Sequence, residues 1–124
     1  MTALPLALSI GDPSGIGPEI ALAAWGRRAA DAVPAFYLLG DPAFVAARAA
    51  ALGLAVALAE TTPEEAPGAF ATALPVVPLQ NRLVDSPGTP LAENAAGTIE
   101  AIERGVADIH AGRAAAIVTL PIAK

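Results

Sequence analysis

Nine residues, Gly11-Asp12-Pro13-Ser14-Gly15-Ile16-Gly17-Pro18-Glu19, set a carboxylate, a hydroxyl and three glycines directly behind the apolar run Leu4–Ile10. Gly15 and Gly17 permit positive φ and let a backbone pass close to another group. A helix start behind glycines also presents free N–H groups to an anion. Gly11 and Asp12 fall where an open α/β sheet places ligands, at the carboxyl end of a strand. The spacing fits neither familiar nucleotide loop. No Gly-Lys-Ser/Thr follows, the glycines do not make a Gly-x-Gly-x-x-Gly fingerprint, and Glu19 would repel a phosphate unless turned away. A tight strand-to-helix corner shaped by Gly11, Gly15, Gly17 and Pro18, and a ligand-contacting loop led by Asp12, both fit these residues.

The second candidate is Thr119-Leu120-Pro121-Ile122-Ala123-Lys124. A hydroxyl on Thr119 and an ammonium on Lys124 could orient a phosphate or carboxylate. A strand end with a solvated lysine fits as well. His110 is the only histidine and there is no cysteine, so this segment supplies neither a histidine metal site nor a thiolate one. A Ser-His-Asp triad would have to draw on that same histidine, which reads instead as a helix C-terminal residue favoured by the macrodipole. Asp12, Asp41 and Asp85 all follow strands or sit in loops on what reads as one sheet edge, Asp41 as a helix cap.

The elements that must position these groups alternate. Leu4–Ile10 reads as a buried strand and Pro18 to about Ala30 as a helix. A second strand, Ala35–Leu39, is closed by Gly40. Asp41 and Pro42 then open a helix to Leu52, which Gly53 ends. Leu54–Ala59 makes a third strand and Glu60–Thr72 a polar connector. Leu74–Leu79 reads as a fourth strand, pushed toward a sheet edge because Pro75 and Pro78 remove ladder donors. Gln80–Pro90 is a loop. From Leu91 to Ala111 a helix carries Ile99, Ile102, Val106 and Ile109 at helical spacing, with Glu100, Glu103, Arg104 and Asp108 on its other faces. Glu100 and Arg104 form an i,i+4 pair. Ala114–Leu120 reads as a final buried strand. Alternation of this kind predicts an α/β layer with a largely parallel sheet. The last strand lacks a covering helix, so residues 1–124 are expected to be an incomplete α/β segment with more protein downstream.

Composition narrows the function classes. Of 124 residues, 55% are hydrophobic and 15% charged, which predicts a packed core rather than disorder. Seven basic against twelve acidic residues give a net charge of −5, a poor balance for nucleic acid. The longest apolar stretch, Ala49–Ala59, is too short for a bilayer, which needs about 20 residues. The amino terminus lacks the basic start of a signal peptide. The expectation is a cytoplasmic protein with no membrane and no nucleic-acid partner.

The run Ser9 to Glu19 closely resembles the opening signature of the PdxA family, the 4-hydroxythreonine-4-phosphate dehydrogenases of vitamin B6 biosynthesis. Phe36 to Asp41 is similar to the family too. So are Ala96-Gly97 through Ile102-Glu103 to Ala111-Gly112, and then Ala116 to Thr119, leading into a motif of the type Thr-x-Pro-Ile-Asn-Lys. The resemblance covers essentially the whole chain. It implies an isocitrate/isopropylmalate-dehydrogenase-like α/β fold with two domains per subunit, of which this is the N-terminal part, and a homodimer that builds the active site. It also implies NAD-dependent (or NADP-dependent) oxidation of a small phosphorylated hydroxy amino acid, 4-phosphooxy-threonine. A divalent metal (Zn, Mg or Co) would be held by downstream residues, so no catalytic or metal-binding residue is assigned within 1–124. Ala123 stands where the family usually has Asn, and Leu120 replaces a small residue. That departure keeps open PdxA-like relatives acting on phosphorylated threonate or erythronate or on aromatic cis-dihydrodiols, and beside them a non-catalytic module that binds a small anion.

Overall fold

The computed structural model describes residues 3–86 and 88–121. Five strands, β1 (Leu6–Ser9), β2 (Phe36–Gly40), β3 (Leu58–Glu60), β4 (Leu74–Pro78) and β5 (Ala116–Thr119), form one sheet in the order β3-β4-β2-β1-β5. Every pairing is parallel. The helices are α1 (Gly17–Gly26), α2 (Pro42–Ala51), the short α3 (Ala66–Ala69) and α4 (Ala95–His110), the last preceded by a 3-10 turn at Ala92–Asn94. None of the described helices is long and apolar enough to cross a membrane. The expected parallel α/β layer is what forms.

Local chemistry sets most boundaries. Asp41 caps α2 by accepting from the Ala43 N–H at 3.1 Å, with Pro42 in the first turn. Gly53 at φ +71° closes α2, and the Leu54 N–H reaches back to the Ala49 carbonyl at 2.9 Å; Gly112 at φ +75° closes α4 in the same way. Helix α1 buries Ala21, Leu22 and Trp25, spaced to fall on one face. It ends at Gly26, short of the expected Ala30, where the chain passes into turns and an Arg27–Asp31 ion pair.

Five further expectations need correction. Strand β4 is interior, flanked by β2 and β3. Its even-numbered residues bond toward β3, since Leu74 N–H donates to Ala57 and Val76 accepts from Thr61; its odd-numbered residues bond toward β2, since Leu79 N–H donates to Gly40. Pro75 would face β2, but that pairing starts only at Val76. Pro78 would face β3, where pairing has already ended at Val76. Each proline therefore falls where one neighbour is absent and no ladder donor is lost. Strand β3 is confined to Leu58–Glu60 because β4 offers no backbone before Leu74.

Strand β5 is an edge strand, with Ala116, Val118 and Thr119 exposed rather than buried, because only β1 pairs with it. The polar connector contains α3, and Phe70 just beyond it packs edge-on against Phe36 with ring centroids 5.0 Å apart and accepts a hydrogen bond from Trp25 Nε1.

The fifth correction concerns α4. Its buried residues are Gly97, Ala101, Gly105 and Asp108, whereas Ile99 and Val106 are 56% and 41% exposed. The reason is approach distance. A Cβ on Gly105 would sit 2.5 Å from Ile117 Cδ1, and one on Gly97 2.5 Å from Leu83 Cδ2. Small residues every fourth position let the helix lie close to the sheet, so that Ile99 and Val106 are turned away while Ile102 and Ile109 are half-buried at its flanks. Asp108 is buried there because the Tyr37 hydroxyl donates to it at 2.6 Å and Arg113 pairs with it at 3.2 Å. Burial, with that bond and the Asp108 charge, pushes the Tyr37 phenol well above its ordinary value.

Candidate functional site

The chain leaves β1 to the β2 side of the sheet and later returns to β5 on its other side. The carboxyl ends of β1 and β5 therefore flank a topological switch point, where open α/β sheets hold ligands. A cleft of about 360 Å³ lies there, lined by Asp12, Ser14, Gly15, Ile16, Gly88, Pro90 and Pro121. The two motifs singled out in the sequence meet at this place: the Asp12 N–H donates to the Pro121 carbonyl at 2.9 Å.

Gly11 makes the meeting possible. It adopts φ +74°, and a Cβ there would collide with the carbonyl oxygens of Leu120 and Pro121. Gly17 serves close approach alone: its φ is not positive, but a Cβ would sit 2.5 Å from the Ile10 carbonyl oxygen. Gly15 meets neither demand. Its φ is also not positive, and the nearest atom to an added Cβ is the Asp12 carbonyl oxygen at 3.4 Å. Positive φ, expected at Gly15 and Gly17, thus belongs to Gly11. Pro18 starts α1 without any side-chain cap.

Asp12 lines the cleft, yet its Oδ1 is engaged in the loop itself, accepting from Ser14 N–H at 2.9 Å and Ser14 Oγ at 2.7 Å. Such an Asx turn rigidifies the corner. Asp41 and Asp85 share this sheet edge. Asp41 caps α2 and also accepts from the Leu83 N–H at 3.0 Å. Thr119 ends β5 opposite Ser9 in the register and is exposed; the cleft takes Pro121, two residues on, as its wall. Lys124 lies outside the described residues. His110 is exposed in the last turn of α4.

The second wall of the cleft comes from the loop after β4, and side chains hold that loop almost residue by residue. Glu100 accepts from the N–H groups of Gln80 and Asn81 at 2.7 and 2.9 Å. Asn94, buried, exchanges two hydrogen bonds with Val84 at 2.8 and 3.0 Å. Gly88 N–H donates to the Ser14 carbonyl at 2.8 Å, joining the two walls directly. Burial alone would raise the Glu100 carboxyl, but the bonds from Gln80 and Asn81, with Arg104 nearby, outweigh it and hold it below the usual glutamate range.

Arg48 is the residue that sequence reasoning missed. It sits in the last turn of α2 with a side chain 2% exposed, and donates to the Pro13 carbonyl at 2.6 Å, the Gly15 carbonyl at 3.2 Å and Asp85 Oδ1 at 2.9 Å. Glu19 lies 3.8 Å from the same guanidinium, which draws its charge toward the arginine. The available signal was an arginine in phase with Phe44, Val45 and Ala49 on the buried face of an alanine-rich helix.

A five-stranded parallel sheet wound with helices, carrying its cleft at the switch point, defines an open α/β protein. The chain matches the family described as "Pyridoxal phosphate biosynthetic protein PdxA" over residues 32–124, and it belongs to that family. A relative from Methylorubrum populi, named 4-hydroxythreonine-4-phosphate dehydrogenase, is 52% identical over 122 residues, covering 97% of this chain and 35% of its own length. Among solved structures, a 4-hydroxythreonine-4-phosphate dehydrogenase from Burkholderia phymatum superposes with TM-score 0.85 at 21% identity, over 99% of this chain and 38% of that one. A terephthalate 1,2-cis-dihydrodiol dehydrogenase from Burkholderia xenovorans matches with TM-score 0.68 at 26% identity, over 94% of this chain and 33% of the other. The chain thus spans about a third of the length of the curated relatives it matches.

Proposed function

We propose that this chain forms the N-terminal part of a cytoplasmic, NAD-dependent dehydrogenase that oxidises and decarboxylates 4-phosphooxy-L-threonine in pyridoxal phosphate biosynthesis. The observation that carries this is 52% identity across 97% of the chain to a relative bearing that enzyme's name. The cleft adds support. Its volume of about 360 Å³ lies near the low end for ligand pockets, roughly 300–1,000 Å³, so it would take a small phosphorylated acid, or part of a dinucleotide rather than a whole one. Ile16, Pro90 and Pro121 would give such a group an apolar wall, with Asp12 and Ser14 as the polar end.

NAD, when bound, would supply a hydride acceptor for oxidation of the secondary alcohol, whose hydroxyl proton would pass to solvent or a base outside the described residues, and the cleft residues Asp12, Ser14, Ile16, Pro90 and Pro121 would hold part of the cofactor or substrate. This chain's part is to bind and orient. Among the described residues no group of three His, Cys, Asp or Glu side chains converges, so their donor set does not fit a divalent metal, and no step of the reaction is assigned to a metal held by them. The metal, and a second subunit completing the site, would be supplied elsewhere in the enzyme, and residues 1–124 alone are expected to be inactive.

Reduction of NAD by the complete enzyme, followed at the nicotinamide absorbance with 4-phosphooxy-threonine and Zn, Mg or Co, tests the assignment; no turnover with that substrate refutes it. The likeness to a cis-dihydrodiol dehydrogenase favours one second reading, the same chemistry on another acid. Turnover of a dihydrodiol acid or of phosphorylated threonate, without turnover of 4-phosphooxy-threonine, would select it.

A further inference from the structure

Two walls of the cleft come from chain segments more than 70 residues apart, Asp12–Ile16 on one side and Gly88 with Pro90 on the other, and a pocket between such segments keeps its shape only if something fixes their separation. Arg48 lies behind both. Its Nη2 and Nη1 hold the carbonyls of Pro13 and Gly15 in the first wall, and its Nη2 and Nε hold Asp85 Oδ1, at 2.9 and 3.2 Å, in the loop three residues ahead of the second wall's Gly88. Arg48 itself does not line the cleft. The only other direct tie between the walls among the described hydrogen bonds is Gly88 N–H to the Ser14 carbonyl.

We infer that Arg48 is a positioning residue: a buried clasp that, through Pro13, Gly15 and Asp85, sets the width of the switch-point cleft for the dinucleotide or substrate group it receives. The inference rests on the functional assignment above. The planar fork is the required feature. One guanidinium reaches two carbonyls and a carboxylate in different directions at once, whereas a lysine ammonium at the same depth is a point charge on a flexible stem and reaches them only in part. Two carbonyls that lose their donor in a buried site are free to move outward to water, and the first wall moves with them.

The test uses the complete enzyme with Arg48→Lys and, as a variant that keeps the arginine, Asp85→Asn. Two readouts are taken: amide exchange in peptides covering residues 12–16, 83–90 and β2, and kcat and KM for NAD and substrate. Arg48→Lys is expected to speed exchange in both walls about tenfold or more while β2 stays protected, and to raise a KM by about tenfold with kcat much less changed. Asp85→Asn is expected to loosen the second wall with a smaller rise in KM. Walls that stay protected in Arg48→Lys overturn the clasp, and walls that loosen with KM unaltered overturn its bearing on the cleft. A wild-type enzyme without dehydrogenase activity sinks the functional assignment, and the exchange readout still decides the clasp.

Discussion

Gly11→Ala and Gly15→Ala, two substitutions four residues apart in one loop, should differ sharply in cost. At Gly11 alanine must adopt φ +74°, which costs an L-residue roughly 1–2 kcal/mol. Its Cβ would also run into the Leu120 and Pro121 carbonyls, so the strand exit must retreat and the Asp12–Pro121 hydrogen bond at 2.9 Å weakens, adding about 1 kcal/mol. The sum is about 2–3 kcal/mol. At Gly15 φ is not positive and the nearest atom to a new Cβ is 3.4 Å away, so the change should stay within about 0.5 kcal/mol. Trp25 is the only tryptophan and is 7% exposed, so its fluorescence reports unfolding. With a urea slope of about 2 kcal/mol/M, Gly11→Ala should lower the midpoint by about 1 M and Gly15→Ala by no more than about 0.25 M. Equal shifts, or a Gly11→Ala shift below about 0.3 M, would refute the view that Gly11 alone carries the backbone strain of this corner.

Two further outcomes follow from α4. Glu100→Gln keeps the shape but gives up a carboxylate that accepts from Gln80 and Asn81, and should cost about 1–3 kcal/mol at pH 7 by urea unfolding. Because the folded-state pKa of Glu100 is lowered, its stabilisation is present above the ordinary glutamate value of about 4.3 and lost as pH falls through the lowered one. The deficit of the variant should therefore narrow below about pH 4, and a deficit that grows on acidification would contradict this. On the other side of the same helix, Ile99→Lys should be within about 0.5 kcal/mol of wild type, whereas Ala101→Leu, against the sheet, should cost about 1–3 kcal/mol; the reverse order in thermal unfolding would place the apolar stripe inward after all.

The parallel α/β layer, the Asp41 cap and the glycine stops at Gly53 and Gly112 were legible because each is announced by residues close together in sequence; the meeting of Asp12 with Pro121, more than 100 residues apart, was not. The face of α4 was not. Hydrophobic periodicity ranks positions by transfer free energy, but here the distance between helix and sheet decides, and that distance is set by Gly97 and Gly105 against Leu83 and Ile117, contacts invisible until the elements are assembled. The prolines of β4 misled for a related reason. A strand staggered between two partners has donor positions with no neighbour, and stagger is a property of the sheet rather than of the strand.

The same logic explains why the opening motif was readable and its support was not. Gly11, Asp12 and Gly17 announce a corner by type alone, but a corner only becomes a wall when something opposes it. Opposition comes from the loop after β4, whose main-chain groups are held by Glu100, Asp41 and Asn94, and from Asp85 held by Arg48. All four anchors lie on or beside helices: Glu100, Asp41 and Asn94 at positions where a polar side chain reads as solvent-facing or as a cap, and Arg48 on a face that only its phase with Phe44, Val45 and Ala49 marks as buried. Removing Asp85 leaves the buried Arg48 guanidinium with only the more exposed Glu19, at 3.8 Å, as a counterion, so the loss falls below the roughly 3–5 kcal/mol of a buried charge left wholly unpaired. The residues that identify the cleft and the residues that hold it in shape are thus different sets, drawn from different elements.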